Sequence, residues 1–68
     1  LIALGDAIRD ARGERRLSQE ALADAAGIDR SHMGKIERGE RNVTILNVKR
    51  VAHALGLSVT ALIAKTGQ

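Results

Sequence analysis

The stretch of sequence that decides the fold is residues 17–39, LSQEALADAAGIDRSHMGKIERG. Two helix starts follow each other closely in it, Leu17-Ser18 with Leu22 and Ile28-Asp29 with Met33. In each start, a side-chain oxygen can accept a hydrogen bond from a free backbone N–H of the first turn, and the flanking apolar pair closes over it as a hydrophobic staple. The spacing therefore predicts a short helix, a tight turn at 27–29 and a second helix.

The same kind of start recurs downstream, at Val43-Thr44 with Val48 and at Leu57-Ser58 with Leu62. Together with the apolar periodicity, these starts predict an all-α, compact five-helix bundle that occupies residues 1–68 as a single domain. The helices are expected at about Ile2–Glu14, Gln19–Ala26, Arg30–Arg38, Ile45–Leu55 and Val59–Lys65. Gly27, Gly39 and Gly56 each follow a helix, where a left-handed residue is expected because glycine has no Cβ.

The first and fourth helices have recognisable core faces. Helical spacing places Leu4, Ile8 and Ala11 on one face of the first helix. The corresponding set on the fourth helix is Ile45, Val48, Val51, Ala52 and Leu55. Gly13 leaves the end of the first helix open by several residues.

Length and composition narrow the class of protein. The 68 residues contain no Cys, Pro or aromatic residue, and 44% are apolar, as is typical of a helical bundle. Disulfides and thiolate metal sites are excluded. The sequence has no metal-ligand pair or phosphate-cradling glycine loop, so we expect no metal, cofactor or small-molecule ligand. Since no segment approaches the ~20 apolar residues of a membrane span, we expect a cytoplasmic protein without a membrane partner.

The formal charge of +3 is concentrated in one part of the sequence. Between residues 29 and 50, six basic residues stand against three acidic ones, namely Arg30, Lys35, Arg38, Arg41, Lys49 and Arg50 against Asp29, Glu37 and Glu40. The remaining residues are balanced in charge. The excess therefore lies on the second helix of the motif and the segment after it, which predicts an anionic partner there. A solvated surface is the alternative.

The helix at 30–38 has two different faces. At ~100° per residue, Met33 and Ile36 point toward the core. The outward face is polar and slim, and consists of Ser31, Gly34, Lys35 and Arg38. A glycine in the middle of a helix costs about 1 kcal/mol relative to alanine. Either the missing side chain of Gly34 lets the helix approach a groove closely, or this position packs tightly against another helix, or the glycine reflects simple sequence drift.

The outward face predicts contacts with DNA bases. The helix-turn-helix spacing of residues 17–39 points to DNA, because the second helix of such a motif, the recognition helix, enters the major groove. Its N-terminal residues reach deepest into the groove. Arg30 could donate to guanine O6 and N7 as a fork, Ser31 could bond to either kind of base edge, and Lys35 could reach guanine or a phosphate. The alternative for each is an exposed polar side chain with no partner.

Contacts with the DNA backbone are expected from groups around this helix. Gln19 opens the preceding helix, where free N–H groups suit a phosphate oxygen. Arg41 and Asn42 lie in the following loop and can donate to phosphates or to base edges. His32 and Arg38 are the other candidates. The alternatives are partial burial for His32 and a solvated charge for Arg38.

These residues resemble a known family. Leu17-Ser18-Gln19-Glu20-Ala21-Leu22-Ala23, Gly27-Ile28-Asp29 and Ile36-Glu37-Arg38-Gly39 are similar to the helix-turn-helix domain of phage repressors, Cro proteins and xenobiotic-response-element regulators. The resemblance covers almost the whole chain. It implies a five-helix, lambda-repressor-like domain that regulates transcription by binding double-stranded DNA, usually as a homodimer on a near-palindromic operator. It also implies base contacts from Arg30, Ser31 and Lys35, a phosphate contact from Gln19, and an ion pair between Arg12 and Glu37.

The positions of the two ion-pair residues agree in part with that implication. Arg12 lies beside the apolar face of the first helix, and Glu37 lies beside Met33 on the third. We therefore expect a largely buried pair, whose disruption would cost ~3 to 5 kcal/mol.

Within the family, residues 29–34 and 37–44 most resemble the controller proteins of restriction-modification systems. Those proteins typically carry Arg-Thr-Tyr where this chain has Arg30-Ser31-His32. Serine lacks the methyl group that can pack on thymine, and histidine has a shorter reach to the backbone than tyrosine, so the operator is expected to differ. General regulators of the family carry similar stretches, and a general regulator is therefore the alternative subtype.

A second copy of the chain is the expected protein partner. A domain of this size buries only ~60% of its unfolded surface, and this one has no disulfide to support it. The last two helices carry more apolar side chains than one side of each can bury, which predicts a self-complementary interface formed by Leu46, Val59, Leu62 and Ile63. A missing tail that covers these residues is the alternative.

Two other classes of function compete with DNA binding. Asp29, Ser31 and His32 look like an acid, a nucleophile and a base, but adjacent helical residues point in different directions and no oxyanion-hole loop is visible, so we expect no enzyme. The other class is a protein-interaction module, such as an antitoxin or coactivator domain. Such a module has no need of basic and short polar groups on the outward face of 30–38. DNA affinity that falls steeply with salt would distinguish the two.

Overall fold

Five α-helices form the fold in the part of the chain that the structure describes. A computed structural model describes residues 3–40 and 43–67, in which α1 is Leu4–Glu14, α2 Gln19–Ala26, α3 Arg30–Glu37, α4 Ile45–Ala54 and α5 Val59–Thr66. The predicted number and order of helices are confirmed. Three of the predicted C-terminal ends differ by one residue, because α3 ends at Glu37, α4 at Ala54 and α5 at Thr66. The predicted start at Ile2 lies outside the described residues.

The four predicted N-caps are confirmed. Ser18 Oγ accepts a hydrogen bond from the N–H of Ala21 at 3.0 Å, and the carboxylate of Asp29 accepts from the N–H groups of Ser31 and His32 at 3.1 and 3.3 Å. Thr44 and Ser58 cap α4 and α5 in the same way. Each oxygen satisfies a first-turn N–H that has no partner within its own helix.

The ends of α1 to α4 follow one pattern, in which a left-handed residue lets the next N–H reach back five residues. Gly27, Gly39 and Gly56 have the expected positive φ, of 69°, 73° and 71°. At the end of α1 the residue in this conformation is Arg16, with φ 55°, and the N–H of Leu17 bonds to the carbonyl of Arg12 at 3.0 Å. The predicted end of α1 at Glu14 is confirmed, whereas the left-handed residue two positions later was not predicted, because it is not a glycine.

The core is built from small and branched aliphatic side chains of all five helices. Its members are Ala7, Ile8, Ala11, Leu22, Ala23, Ala26, Ile28, Met33, Ile36, Val48, Val51, Ala52, Leu55 and Leu62. Two predictions are corrected by it. Ile45, expected on the core face of α4, is 75% exposed, because it is the first residue of the helix and no neighbouring helix covers it. Leu62, expected at a surface between two copies, is fully buried as the staple partner of the α5 start.

The helix α3 is supported from two sides. It packs against α1 and α2, α2 packs in turn on α4, and α5 joins α1 to α4. A Cβ placed on Gly5 of α1 would lie 2.3 Å from the carbonyl oxygen of Glu37, so only glycine permits the observed approach of the two backbones. None of the described helices is long and apolar enough to cross a membrane.

Candidate nucleic-acid interface

The two faces of α3 are separated as its sequence predicts. Met33 and Ile36 are buried in the core, whereas Arg30 and Ser31 are exposed in the first turn. Lys35, one turn after Ser31, is half-buried. Arg30, Ser31 and Lys35 therefore form a short polar ridge on α3, and the opposite, apolar face of the helix packs in the core.

Two exposed ion pairs involve arginines at the two ends of α3. Arg30 is paired with Glu20 of α2, and Arg38, which follows α3, is paired with Glu40. The hydrogen bond from Arg38 and its positive charge hold the pKa of the Glu40 carboxyl below its usual value. Neither pair was predicted, although Glu20 and Glu40 are visible in the sequence. Spacing alone does not show which acidic residue lies across from a basic one.

Glu37 is the polar centre behind the ridge. Its side chain is 1% exposed, and it accepts hydrogen bonds from Arg12 Nε and Nη2, each at 3.0 Å. Arg12, with 20% of its side chain exposed, also donates to the carbonyl of Leu17 at 3.2 Å. The expected Arg12–Glu37 ion pair is present with bidentate geometry, which is the strong form of an arginine–carboxylate contact.

Gln19 connects this centre to the surface. It is the first residue of α2, half-buried, and its Nε2 donates to Oε1 of Glu37 at 3.2 Å. One carboxylate thus joins α1, α2 and α3. The side chain expected to contact a phosphate is held in place by the interior of the domain.

The position of Gly34 differs from the expectation. Helical spacing placed it on the outward face, but it is buried, and a Cβ there would lie 3.1 Å from Arg38 Nη1 and 3.3 Å from Gln19 Oε1. Side chains from α2 and from the end of α3 therefore cover it. These two side chains lie between Gly34 and solvent, which favours the alternative of tight packing.

The other residues predicted to contact the DNA backbone lie in different surroundings. His32 is half-buried beside the exposed first turn of α3. Arg41 and Asn42 lie outside the described residues. Thr44, on the far side of that loop, caps α4.

Exposed aliphatic side chains lie on the last two helices. Leu46 is 55% and Ile63 46% exposed. Val59 is half-buried and packs on the core. Ile45 also belongs to the exposed set, although helical spacing predicted it in the core. Within residues 3–40 and 43–67, the structure contains no cluster of His, Cys, Asp or Glu suited to a metal ion.

Residues 8–62 match the family model described as Helix-turn-helix. The chain belongs to this helix-turn-helix family. The match spans both helices of the motif, α2 and α3, together with the helices that support them.

Relatives of this helix-turn-helix chain include control proteins and regulators. The control protein C.SmaI of Serratia marcescens is 41% identical over 64 residues, which cover 94% of this chain and 76% of that protein. Among solved structures, the restriction-modification controller protein C.AhdI from Aeromonas hydrophila has a TM-score of 0.86 and 41% identity, over 90% of this chain and 92% of that one. SinR, a master regulator for biofilm formation solved in complex with DNA, has a TM-score of 0.82 and 33% identity, over 88% and 97%.

Proposed function

We propose that this helix-turn-helix chain is a transcription regulator that binds double-stranded DNA sequence-specifically, with α3 in the major groove. The observation that carries the proposal is the division of α3, whose apolar side chains are buried while its N-terminal polar residues are exposed. The first turn of such a helix is the part that reaches base edges. The likeness to SinR, solved in complex with DNA, supports the same arrangement.

We assign the contacts with DNA bases to three residues of α3. Arg30 would donate to guanine as a fork, Ser31 would bond to an adjacent base edge, and Lys35 would reach guanine or a phosphate one turn later. Arg30 must exchange its Glu20 partner for the base, since both side chains are exposed and paired in the free chain. An exposed pair of this kind contributes little stability, so the exchange is inexpensive.

Phosphate contacts are assigned to groups that flank α3. Gln19 stands at the N-terminus of α2, where backbone N–H groups also face outward. Arg38, His32, Arg41 and Asn42 complete the set. These contacts fix the register of α3 on the duplex without reading its sequence.

The biological unit in this proposal is a homodimer on a palindromic operator. The exposed Leu46 and Ile63 support it, because burying both between two copies removes apolar surface from water. Two copies would place two α3 helices about one DNA turn apart, roughly 34 Å. The likeness to C.SmaI and C.AhdI supports a role as a restriction-modification controller.

The test begins with selection of bound duplexes from a random pool, using labelled DNA. The selected duplex is then titrated against the double variant Arg30→Ala/Lys35→Ala over a range of salt concentrations. We expect at least ~100-fold weaker binding and a shallower dependence on salt, because base contacts and counterion release are lost together.

The matched control is Arg9→Ala/Lys65→Ala, which removes the same charge from α1 and α5. It should bind the selected duplex about as well as the unchanged chain. Equal binding by both double variants would reject α3 as the reading helix. Absence of any salt-dependent DNA binding by the unchanged chain would instead favour the protein-interaction module.

A further inference from the structure

One exposed ion pair joins the two helices of the motif across the turn between them. Arg30, the first residue of α3, donates from Nη1 to Oε2 of Glu20, the second residue of α2. The two side chains are 64% and 61% exposed, so neither packs in the core. The carboxylate of Glu20 therefore lies beside a side chain to which base reading is assigned, although Glu20 is not itself among the assigned DNA contacts.

The contact uses only part of what the Arg30 side chain can donate. A guanidinium carries five N–H donors in a fixed fork, and one of its terminal nitrogens faces the Glu20 carboxylate. Guanine presents two acceptors to such a fork in the major groove, O6 and N7, whereas each of the other three bases presents at most one. Guanine is therefore the base that can replace the carboxylate with two hydrogen bonds.

Compared with a neutral residue at position 20, the ion pair has opposite effects on two kinds of duplex. Where the contacted base pair carries guanine, the pair must be broken before Arg30 can donate to the base, so Glu20 lowers the affinity. Where another base stands there, Arg30 keeps its carboxylate when the groove removes both groups from water. A guanidinium that entered the groove without this acceptor would lose its hydration with less in return, so Glu20 raises the affinity for such a duplex.

We propose that Glu20 is a specificity-determining residue that widens the range of DNA sequences bound, because it offers Arg30 an alternative acceptor wherever guanine is absent from the contacted base pair. The proposal rests on the function proposed above. Arg38 and Glu40 form a comparable exposed pair at the other end of α3, but Arg38 is assigned to a phosphate, which every sequence offers. The Glu40 pair should therefore alter affinity without altering sequence preference.

The experiment first finds the base pair that Arg30 reads. Each G·C pair of the selected duplex is replaced in turn, and Arg30→Ala identifies the pair whose replacement no longer weakens binding. Glu20→Gln and the unchanged chain are then titrated against the selected duplex and against the duplex substituted at that pair. Glu20→Gln should bind the selected duplex ~2- to 5-fold more tightly, as expected when an exposed pair need not be broken. Discrimination, the ratio of the two affinities, should rise by ~3-fold or more, because the substituted duplex gains no such advantage.

Two controls separate this effect from the loss of a negative charge. Asp24→Asn removes the same charge from an exposed position of α2 that belongs to no ion pair within residues 3–40 and 43–67. Glu40→Gln frees Arg38 in the same way as Glu20→Gln frees Arg30. Both controls should change affinity equally on the two duplexes and leave discrimination as it is in the unchanged chain.

Unchanged discrimination in Glu20→Gln would overturn the proposal. Weaker binding of the selected duplex by this variant would overturn it too, because Glu20 would then hold Arg30 in place for the base instead of competing with it. A chain that binds no duplex would refute the proposed function itself. An Arg30→Ala variant that relaxes no base pair would refute the assignment of Arg30 to base reading, and this proposal with it.

Discussion

At the scale of single residues, Glu37 is a buried charge at which three helices meet. Its buried carboxylate accepts two hydrogen bonds from Arg12 and one from Gln19, so it ties three helices together. A buried carboxylate that loses its positive partner also loses the contact that offset its removal from water. Breaking such a pair therefore costs more than the pair itself contributes to stability.

Replacing Arg12 by alanine tests this argument. We expect the free energy of unfolding to fall by ~3 to 5 kcal/mol, because Glu37 is left buried without its cation. The control is Arg9→Ala in the same helix, whose pair with Asp6 is exposed and whose loss should cost less than about 1 kcal/mol. Urea unfolding followed by far-ultraviolet circular dichroism measures both. Similar losses in the two variants would show that the Arg12 pair behaves as a surface pair.

Helical periodicity predicts the burial of some single residues of α3 and not of others. Helix faces correctly separated Met33 and Ile36 from Arg30 and Ser31, because that division follows from 100° per residue alone. The same rule placed Gly34 outward, and it is buried. What covers Gly34 comes from another helix and from the end of α3, and helical periodicity contains no information about neighbouring elements.

At the scale of elements, the parts predicted from sequence are those whose causes are local. The caps of α2 to α5 and the left-handed glycines were predicted because a side-chain oxygen or a missing Cβ acts within one turn. The close approach of α1 to α3 at Gly5 was not predicted. It depends on where two distant segments meet, and an isolated glycine in a helical pattern does not reveal that.

Gly5 supplies a prediction about helix packing. An alanine there would press its methyl group on the backbone of Ile36 and Glu37, which cannot move as a side-chain end can. We expect Gly5→Ala to destabilise the domain by ~1 to 3 kcal/mol through overpacking. Gly13→Ala, in the same helix with open space at its Cβ, should instead stabilise it by up to about 1 kcal/mol. Thermal melts of both variants decide the matter, and equal shifts would contradict the close approach.

At the scale of the whole molecule, the surface that would join two copies was predicted only in part. Leu46 and Ile63 are exposed as expected, but Leu62 is buried and Ile45 takes a place in the exposed set. Periodicity identifies an excess of apolar side chains correctly. Which of them the chain covers depends on the packing of five helices together, and that is settled only in three dimensions.

Changing this surface should change the oligomeric state without unfolding the domain. We expect Ile63→Lys to shift a dimer to monomer and to weaken binding to a two-half-site duplex by ~10-fold or more, while a single half-site is unaffected. Thr60→Lys, an exposed position of the same helix, is the control for added charge. Sedimentation with interference optics suits a chain that has no Trp or Tyr. A monomer for the unchanged chain at high micromolar concentration would refute the dimer.

The contrast between the exposed side chains of α3 and the anchored Gln19 of α2 has a consequence for how such a domain can evolve. Arg30 and Ser31 project from the surface and pack on nothing in the core, whereas Gln19 is bonded to a carboxylate that also holds the interior. Mutation at the two proposed reading positions, Arg30 and Ser31, should therefore leave the folding contacts of the core intact. Under the proposed function, the preferred DNA sequence can change by mutation while the phosphate contact of Gln19 is kept. One ancestral domain could then give rise to regulators of many promoters.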